Sequence, residues 1–103
     1  MRRSISPTNN VNTPVIQTSA GDAISTQSTG DRRGWFIQNT GTNPLFVRYG
    51  TGASTTLHHV ILKGGTGNDD GLGGSIEQSV GVVYQGVISV AGTSPRFIVT
   101  EFV

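Results

Sequence analysis

The chain has 103 residues, of which 34% are apolar and 13% are charged, and glycine occupies 15 positions. This length accommodates one domain with one modest hydrophobic core, and the absence of cysteine excludes disulfide bonds and cysteine-ligated metal centres. The formal charge of +1 lacks the basic excess typical of proteins that bind nucleic acid or anionic membranes, so neither is expected as a partner.

Residues 1–30 are predicted to form an extended N-terminal arm, because polar Ser, Thr, Asn and Gln dominate them and their apolar side chains are scattered. Short strands are predicted within the arm at 15–17 and 22–26. An extended arm can cross a neighbouring subunit, whereas the alternative is a frayed terminus. No apolar stretch follows Arg2 and Arg3 to make a signal peptide, and no segment approaches the ~20 apolar residues of a membrane span, so a cytosolic or particle-borne protein is expected.

Residues 31–103 are predicted to form one β-sandwich domain, which begins with two strands in RGWFIQN and PLFVRYG. The Asn, Gly and Pro residues between them indicate a turn, so we predict that the two strands form a hairpin. In the second strand, alternation places Leu45 and Val47 on one face and Phe46 on the other.

Further strands are predicted at 57–63, around Ile76, at 82–90 and at 97–103. The intervening segment 64–74 holds six glycines, which a strand interior tolerates poorly, so an exposed loop is predicted there. The sequence therefore predicts an all-β chain of about eight short strands with an extended N-terminal arm. Its fold class is a small β-sandwich, for which the jelly roll is a candidate form.

Several of the predicted strands are apolar on both faces. In the last strand, Phe97 and Val99 alternate with Ile98 and Phe102. A single sandwich needs only one apolar face per sheet, so the second faces are expected to lie under the arm or between subunits. A homo-oligomer is therefore expected.

The sequence offers no convincing catalytic or metal-binding constellation, so an enzyme or a cofactor-binding protein is not expected. His58 and His59 are adjacent, and neighbours on a strand point to opposite faces, so they are not expected to chelate one ion. The segment GGTGND at 64–69 matches the start of a calcium-binding glycine-rich repeat, but one copy cannot complete such a site. Asp69 and Asp70 are not expected to be held rigidly in this loop.

The other charged residues give no clear site. Glu77 and Glu101 have no evident partner for acid–base chemistry, and no serine lies in the turn that a nucleophile requires. The pair Arg32 and Arg33, like the pair at the N-terminus, can contact phosphate or a carboxylate patch on a partner, or remain solvated.

The segment RRGWFIQNTGTNPLFVRYGTGAS, with the later GVISVAGTSPRFIVTEF, resembles small structural proteins of tailed bacteriophage virions. The shared pattern is an Arg-x-x-Φ-Φ-Φ-Gln-Asn strand, where Φ is apolar, followed by Gly-x-Asn-Pro and a Φ-x-Φ-Arg-Φ-Gly strand. A Gly-x-Ile-x-Val strand then precedes Arg-x-Φ-x-Val-Thr-Glu. The resemblance covers about residues 32–102 and does not include the arm.

The resemblance implies a capsid decoration or cement protein, which is a β-sandwich, commonly trimeric, that binds the assembled major capsid protein lattice and stabilises the head. Such a protein would be made in the host cytoplasm and would lie on the capsid surface of the virion. The residues expected to contact the capsid or a neighbouring copy are four in the arm, together with four aromatic residues that are candidates for core or subunit packing: Arg2, Arg3, Ile5, Val11, Trp35, Phe46, Tyr84 and Phe102.

Two other functions stay open on the sequence. One is a phage tail, neck or host-recognition module whose loops, including 64–74, bind a glycan or another tail protein. The other is a calcium- or carbohydrate-binding module of cellular origin.

Overall fold

The computed structural model describes residues 15–24 and 32–102, and these residues contain eight β-strands. The strands are β1 (Ile16–Gln17), β2 (Gly21–Ile24), β3 (Gly34–Asn39), β4 (Leu45–Tyr49), β5 (Val60–Leu62), β6 (Ser75–Gln78), β7 (Ile88–Ala91) and β8 (Phe97–Phe102). In this part of the chain no helix is long and apolar enough to cross a membrane.

The strands form two four-stranded antiparallel sheets. Sheet A has the order β1-β8-β3-β6, and sheet B has the order β2-β7-β4-β5. The first strand therefore pairs with the last, the second with the seventh, the third with the sixth and the fourth with the fifth. This is the pairing of one long hairpin rolled up on itself, which is the jelly-roll arrangement. The predicted all-β sandwich of about eight short strands is confirmed.

The predicted hairpin between the third and fourth strands is wrong, because β3 belongs to sheet A and β4 to sheet B. Asn39, the last residue of β3, is buried, and its side-chain amide donates to the carbonyl oxygens of Asn43 at 2.8 Å and Leu62 at 2.9 Å. These bonds direct the chain across the sandwich instead of back along β3. The predicted turn does follow β3, but the sheet to which it leads depends on contacts between residues distant in sequence.

The strand predicted at 82–90 is much shorter in the structure, where β7 begins only at Ile88. The preceding residues are irregular because side chains bind their backbone. The N–H of Tyr84 donates to Oε1 of Gln78 at 2.9 Å, and the carbonyl of Tyr84 accepts from Nη1 of Arg32 at 2.8 Å. The strand predicted at 57–63 likewise contracts to β5, whereas the strands expected around Ile76 and at the C-terminal end are present.

The hydrophobic core lies between the two sheets. In β3 and β4 the buried side chains alternate along the strand as predicted, with Leu45 and Val47 inside and Phe46 on the outer face. Within residues 15–24 and 32–102, nine apolar residues are buried: Trp35, Ile37, Leu45, Val47, Leu62, Ile88, Val90, Phe97 and Val99. Removing one such side chain from water contributes about 1.5–3 kcal/mol, so this cluster dominates the stability of the sandwich.

Both short strands from the region assigned to the arm lie at sheet edges. In β1, Ile16 pairs with Ile98, and in β2, Gly21 pairs with Val90. Residues 1–14 and 25–31 lie outside the described part of the chain, so the division between an arm at 1–30 and a domain at 31–103 stays a prediction.

The loop 64–74, which was predicted from its glycines, contains no strand and packs directly on the turn that follows β3. A Cβ atom at Gly64 would overlap the backbone carbonyl of Thr42, and one at Gly73 would overlap the carbonyl oxygen of Asn39. Glycine is therefore required at both positions by the close approach of two backbones.

Replacing Gly73 with alanine is expected to lower the free energy of unfolding by roughly 1–3 kcal/mol, because the added methyl group cannot fit without moving the backbone. Gly67→Ala is the matched control, since the nearest heavy atom to a Cβ there is 4.0 Å away. Chemical denaturation measures both variants. Equal stability of the two would contradict the close packing of the loop on the turn.

Candidate functional site at the four-loop end

Four connections meet at one end of the sandwich. Each of them joins a strand of sheet A to a strand of sheet B: β1 to β2, β3 to β4, β5 to β6, and β7 to β8. We call this region the four-loop end. Because loops carried on a fixed sandwich are common sites of recognition, this end is the first candidate for a functional surface.

Asn39 lies buried beneath the four-loop end and holds the β3–β4 loop to the end of β5. Only 1% of the residue is exposed, and its side chain binds the β3–β4 loop at two residues and the end of β5 at one. Its amide nitrogen donates to Asn43 and Leu62, while Oδ1 accepts the backbone N–H of Gly41 at 2.9 Å. A buried amide whose donors and acceptor are all satisfied fixes the relative positions of its partners, because breaking any bond leaves a buried polar group unpaired.

Backbone hydrogen bonds join the loops further. The N–H of Gly65 donates to the carbonyl of Gly41 at 2.8 Å, and the N–H of Asp69 donates to the carbonyl of Thr40 at 2.7 Å. Thr40 in turn donates to the carbonyl of Arg96 at 2.9 Å. The β3–β4 loop is therefore bonded on one side to the β5–β6 loop and on the other to the β7–β8 loop.

Asp69 and Arg96 form a forked ion pair between two of the loops. Nε of Arg96 donates to Oδ1 of Asp69 at 3.0 Å, and Nη2 donates to Oδ2 at 2.5 Å. These hydrogen bonds, reinforced by the positive charge of Arg96, lower the pKa of Asp69 below its usual value. Both side chains are partly exposed, so the ion pair adds little to the free energy of unfolding. Its forked geometry instead fixes the position of one loop relative to the other.

Asp70 folds the loop 64–74 around its own carboxylate. Oδ2 accepts from the backbone N–H and the hydroxyl of Thr66 and from the N–H of Gly67, and Oδ1 accepts from the N–H of Leu72, all at 2.8–2.9 Å. The bond from Leu72, followed by the hydroxyl of Thr66 and the N–H of Gly67, lowers the pKa of Asp70 to about 2. The expectation that the loop would not hold Asp69 and Asp70 is wrong, because glycine lets its amides converge on the carboxylate.

An open cleft of about 420 Å³ lies at the four-loop end. All four loops contribute to its lining, which consists of Thr18, Thr42, Asn43, Asn68, Ser94, Pro95 and Arg96. Asp69 and Ser94 have positive φ angles of 59° and 44°, and within the described residues they are the non-glycine residues in this conformation. Backbone of this kind is unfavourable for such residues and often accompanies functional surfaces.

The opposite end of the sandwich is built around Arg32. Its side chain is fully buried, and Nε donates to Oε2 of Glu101 at 2.6 Å, while Nη1 donates to the carbonyl oxygens of Tyr84 and Gly86 at 2.8 and 3.0 Å. The backbone N–H of Arg32 donates to Oε1 of Gln85, and Nε2 of Gln85 donates to the carbonyl of Arg32. Arg32 is therefore an internal residue and not a partner contact, and Glu101 does have a partner.

The residues expected to contact a partner fall into separate places. The four in the arm lie outside the described residues. Trp35 is wholly buried in the core. The ring of Tyr49 lies between Trp35 and Tyr84, with its centroid 5.8 Å from that of Trp35 and 5.4 Å from that of Tyr84. Phe46 and Phe102 are half-buried on the outer faces of sheets B and A, so these four aromatic residues do not form one surface.

The two histidines contact different aromatic rings. His58 lies against Phe46 on the outer face of sheet B, with ring centroids 5.0 Å apart, whereas His59 stacks on Tyr49 at 4.9 Å. Nδ1 of His59 also accepts the backbone N–H of Tyr49. No cluster of three or more histidine or carboxylate side chains suited to a metal ion occurs in residues 15–24 and 32–102.

Sequence reasoning missed Asn39, Asn68 and Arg96. The run NTGTNP that begins at Asn39 predicts a turn. The tendency of asparagine side chains to form hydrogen bonds with nearby backbone groups is the sequence signal that indicates the role of Asn39. Arg96 was not singled out because its partner Asp69 lies 27 residues away.

Comparison with known proteins gives no relative for this chain. No protein-family model matches it, and neither does any curated protein or solved structure.

Replacing Arg32 with alanine is expected to lower the free energy of unfolding by about 3 kcal/mol, because it removes the buried guanidinium that donates to Glu101, only 21% exposed, and to two backbone carbonyls. Arg33→Ala is the matched control, since the Arg33 side chain is exposed and its loss should change stability by no more than about 0.5 kcal/mol. Denaturant titration with near-ultraviolet circular dichroism measures both. An Arg32→Ala protein as stable as Arg33→Ala would refute the role given to the buried guanidinium.

Proposed function

We propose that this protein is a structural protein of a tailed-bacteriophage virion, a capsid decoration or cement protein that binds the assembled major capsid protein lattice and stabilises the head. In this proposal the protein is made in the host cytoplasm and lies on the capsid surface. The role is not catalytic. The carboxylates of Asp69, Asp70 and Glu101 support this, because each is engaged by an arginine or by loop amides.

The observation that carries the proposal is the apolar outer face of sheet B. Phe46 pairs across the sheet with Ile61 on one side and with Ala91 on the other. Ile61 is 55% exposed, and His58 lies against the ring of Phe46. Such a patch is not needed for the internal core, which the opposite faces of the same strands already fill. Exposed apolar side chains of this kind are typical of binding surfaces.

Sheet A also carries apolar side chains on its outer face, where Phe36 and Ile98 alternate with the buried Ile37 and Val99. Ile16 of the edge strand pairs with Ile98 and is itself exposed. Two apolar faces on opposite sides of a small sandwich support a homo-oligomer in which one face contacts a neighbouring copy and the other contacts the shell. A trimer is the proposed form, since it is common in the proteins that this chain resembles.

The arm is proposed to extend this contact. Arg2 and Arg3 would meet acidic groups on the capsid or on a neighbouring copy, and Ile5 and Val11 would fill apolar sites there. Stabilisation of the head follows from mass action, because a protein that binds only the assembled lattice lowers the free energy of that lattice. A trimer would strengthen weak single contacts by binding several at once.

A second candidate function is supported by a different observation. A phage tail, neck or host-recognition module would bind its target with loops, and the cleft at the four-loop end offers such a surface. In that case the apolar outer faces would contact other tail proteins.

The decoration proposal predicts saturable binding of the purified protein to phage shells that lack it, with many copies per particle and greater resistance of the shells to heat. Cosedimentation with quantification of bound protein measures this. Ile61→Glu should weaken binding by at least roughly tenfold, because it places a charge in the apolar contact. Thr55→Glu adds the same charge on an exposed turn and should bind like the unchanged protein. Absence of binding, or a few copies at one vertex, would favour the tail or neck module.

A further inference from the structure

The lining of the cleft at the four-loop end is almost wholly neutral and polar. The lining residues that carry hydroxyl groups are Thr18, Thr42 and Ser94, and those that carry carboxamide groups are Asn43 and Asn68. Each of these groups can both donate and accept hydrogen bonds. A ligand that suits the cleft therefore presents many donors and acceptors in a small volume.

The single charge in the lining is already balanced. Nε and Nη2 of Arg96 each donate one N–H to the carboxylate of Asp69, so the two N–H groups of Nη1 and the second N–H of Nη2 remain as donors for a ligand. An anionic ligand would gain from Arg96 but would be repelled by Asp69, so the site favours neutral ligands over phosphates, sulfates or carboxylates. Pro95 adds an apolar surface against which the C–H face of a ring can lie.

The size and construction of the cleft also suit a small ligand. Its volume of about 420 Å³ falls in the range of roughly 300–1,000 Å³ that is usual for small-molecule sites. The side-chain amide of Asn43 donates to the carbonyl of Thr93 at 2.9 Å, which adds a further link between two of the lining loops. Loops that are bonded to each other before binding lose little conformational entropy when a ligand arrives.

We propose that the four-loop end binds a neutral saccharide, one or two sugar rings in size, through the hydroxyls and carboxamides of the cleft and the remaining N–H groups of Arg96. This inference goes beyond capsid binding and does not depend on it, because the cleft and the outer face of sheet B are separate surfaces. A particle decorated with the protein would present the saccharide sites of every copy at once, so weak binding at each site would become strong attachment to a glycan-covered surface.

The test is an array of neutral and acidic oligosaccharides, followed by titration of the ¹⁵N-labelled full chain with matched sugars, such as galactose against galacturonate and glucose against glucuronate. We expect neutral sugars to bind, with the largest amide shifts at Thr42, Asn68 and Ser94. Thr42→Val combined with Asn68→Ala should weaken binding by roughly tenfold, because two ligand hydrogen bonds are lost.

Thr55→Val is the matched control, since Thr55 is also an exposed threonine and lies outside the cleft. It should bind sugars like the unchanged protein, and the ¹⁵N spectra establish that each variant is folded. The proposal is overturned if no neutral saccharide binds, if the uronates bind more tightly, or if the double variant binds as well as the control. Shell cosedimentation of the same double variant should be unchanged, so a failure of this proposal is distinguishable from a failure of the decoration proposal.

Discussion

The side chain of Asn39 is the constraint on which the four-loop end depends. It stands at the last position of β3 in sheet A and bonds Leu62 of β5 in sheet B and Asn43 in the crossing loop, while it also accepts the N–H of Gly41. A buried carboxamide cannot replace its hydrogen bonds by bonds to water, so the two sheets and the loop keep the arrangement in which those bonds form. These bonds hold the loop that carries the chain from one sheet to the other.

A second buried polar residue, Arg32, lies just before the first residue of β3, at the opposite end of the sandwich. Between the two, β3 contributes Trp35 and Ile37 to the core, so the strand combines an apolar centre with a polar anchor near each terminus. Arg32 holds the irregular segment before β7, and Asn39 holds the loops at the opposite end. The small core of this chain supplies stability, and the two anchors specify which loops lie at which end.

Much of the architecture could be predicted from the sequence, because it depends on local patterns. Alternation of Leu45 and Val47 with Phe46 identified the inner and outer faces, and the glycines of 64–74 identified a loop. The rest depends on bonds between distant residues. Arg32 and Glu101 are 69 positions apart, and no periodicity reveals that they meet. The same limit explains the error over the hairpin, since NTGTNP is consistent with either a tight hairpin or a crossing between sheets.

The candidate surfaces differ in how far they could be predicted from the sequence. The apolar outer faces follow from strands that are apolar on both sides, which the sequence displays directly. The cleft does not, because it requires four loops to meet, and only the jelly-roll pairing brings them together. The two proposals differ in the same way: the outer faces would bind a partner through apolar area, whereas the loop end would bind a ligand through fixed polar groups.

The most direct test of this account is amide hydrogen exchange across the four-loop end of the intact protein. If the cross-loop bonds fix this end, the amides of Gly41, Gly65 and Asp69 will exchange nearly as slowly as those of the central strands, such as Ile37 and Val47. Exchange of the three loop amides as fast as in an unstructured peptide would contradict the account, because the bonds that shape the cleft would then not persist in solution.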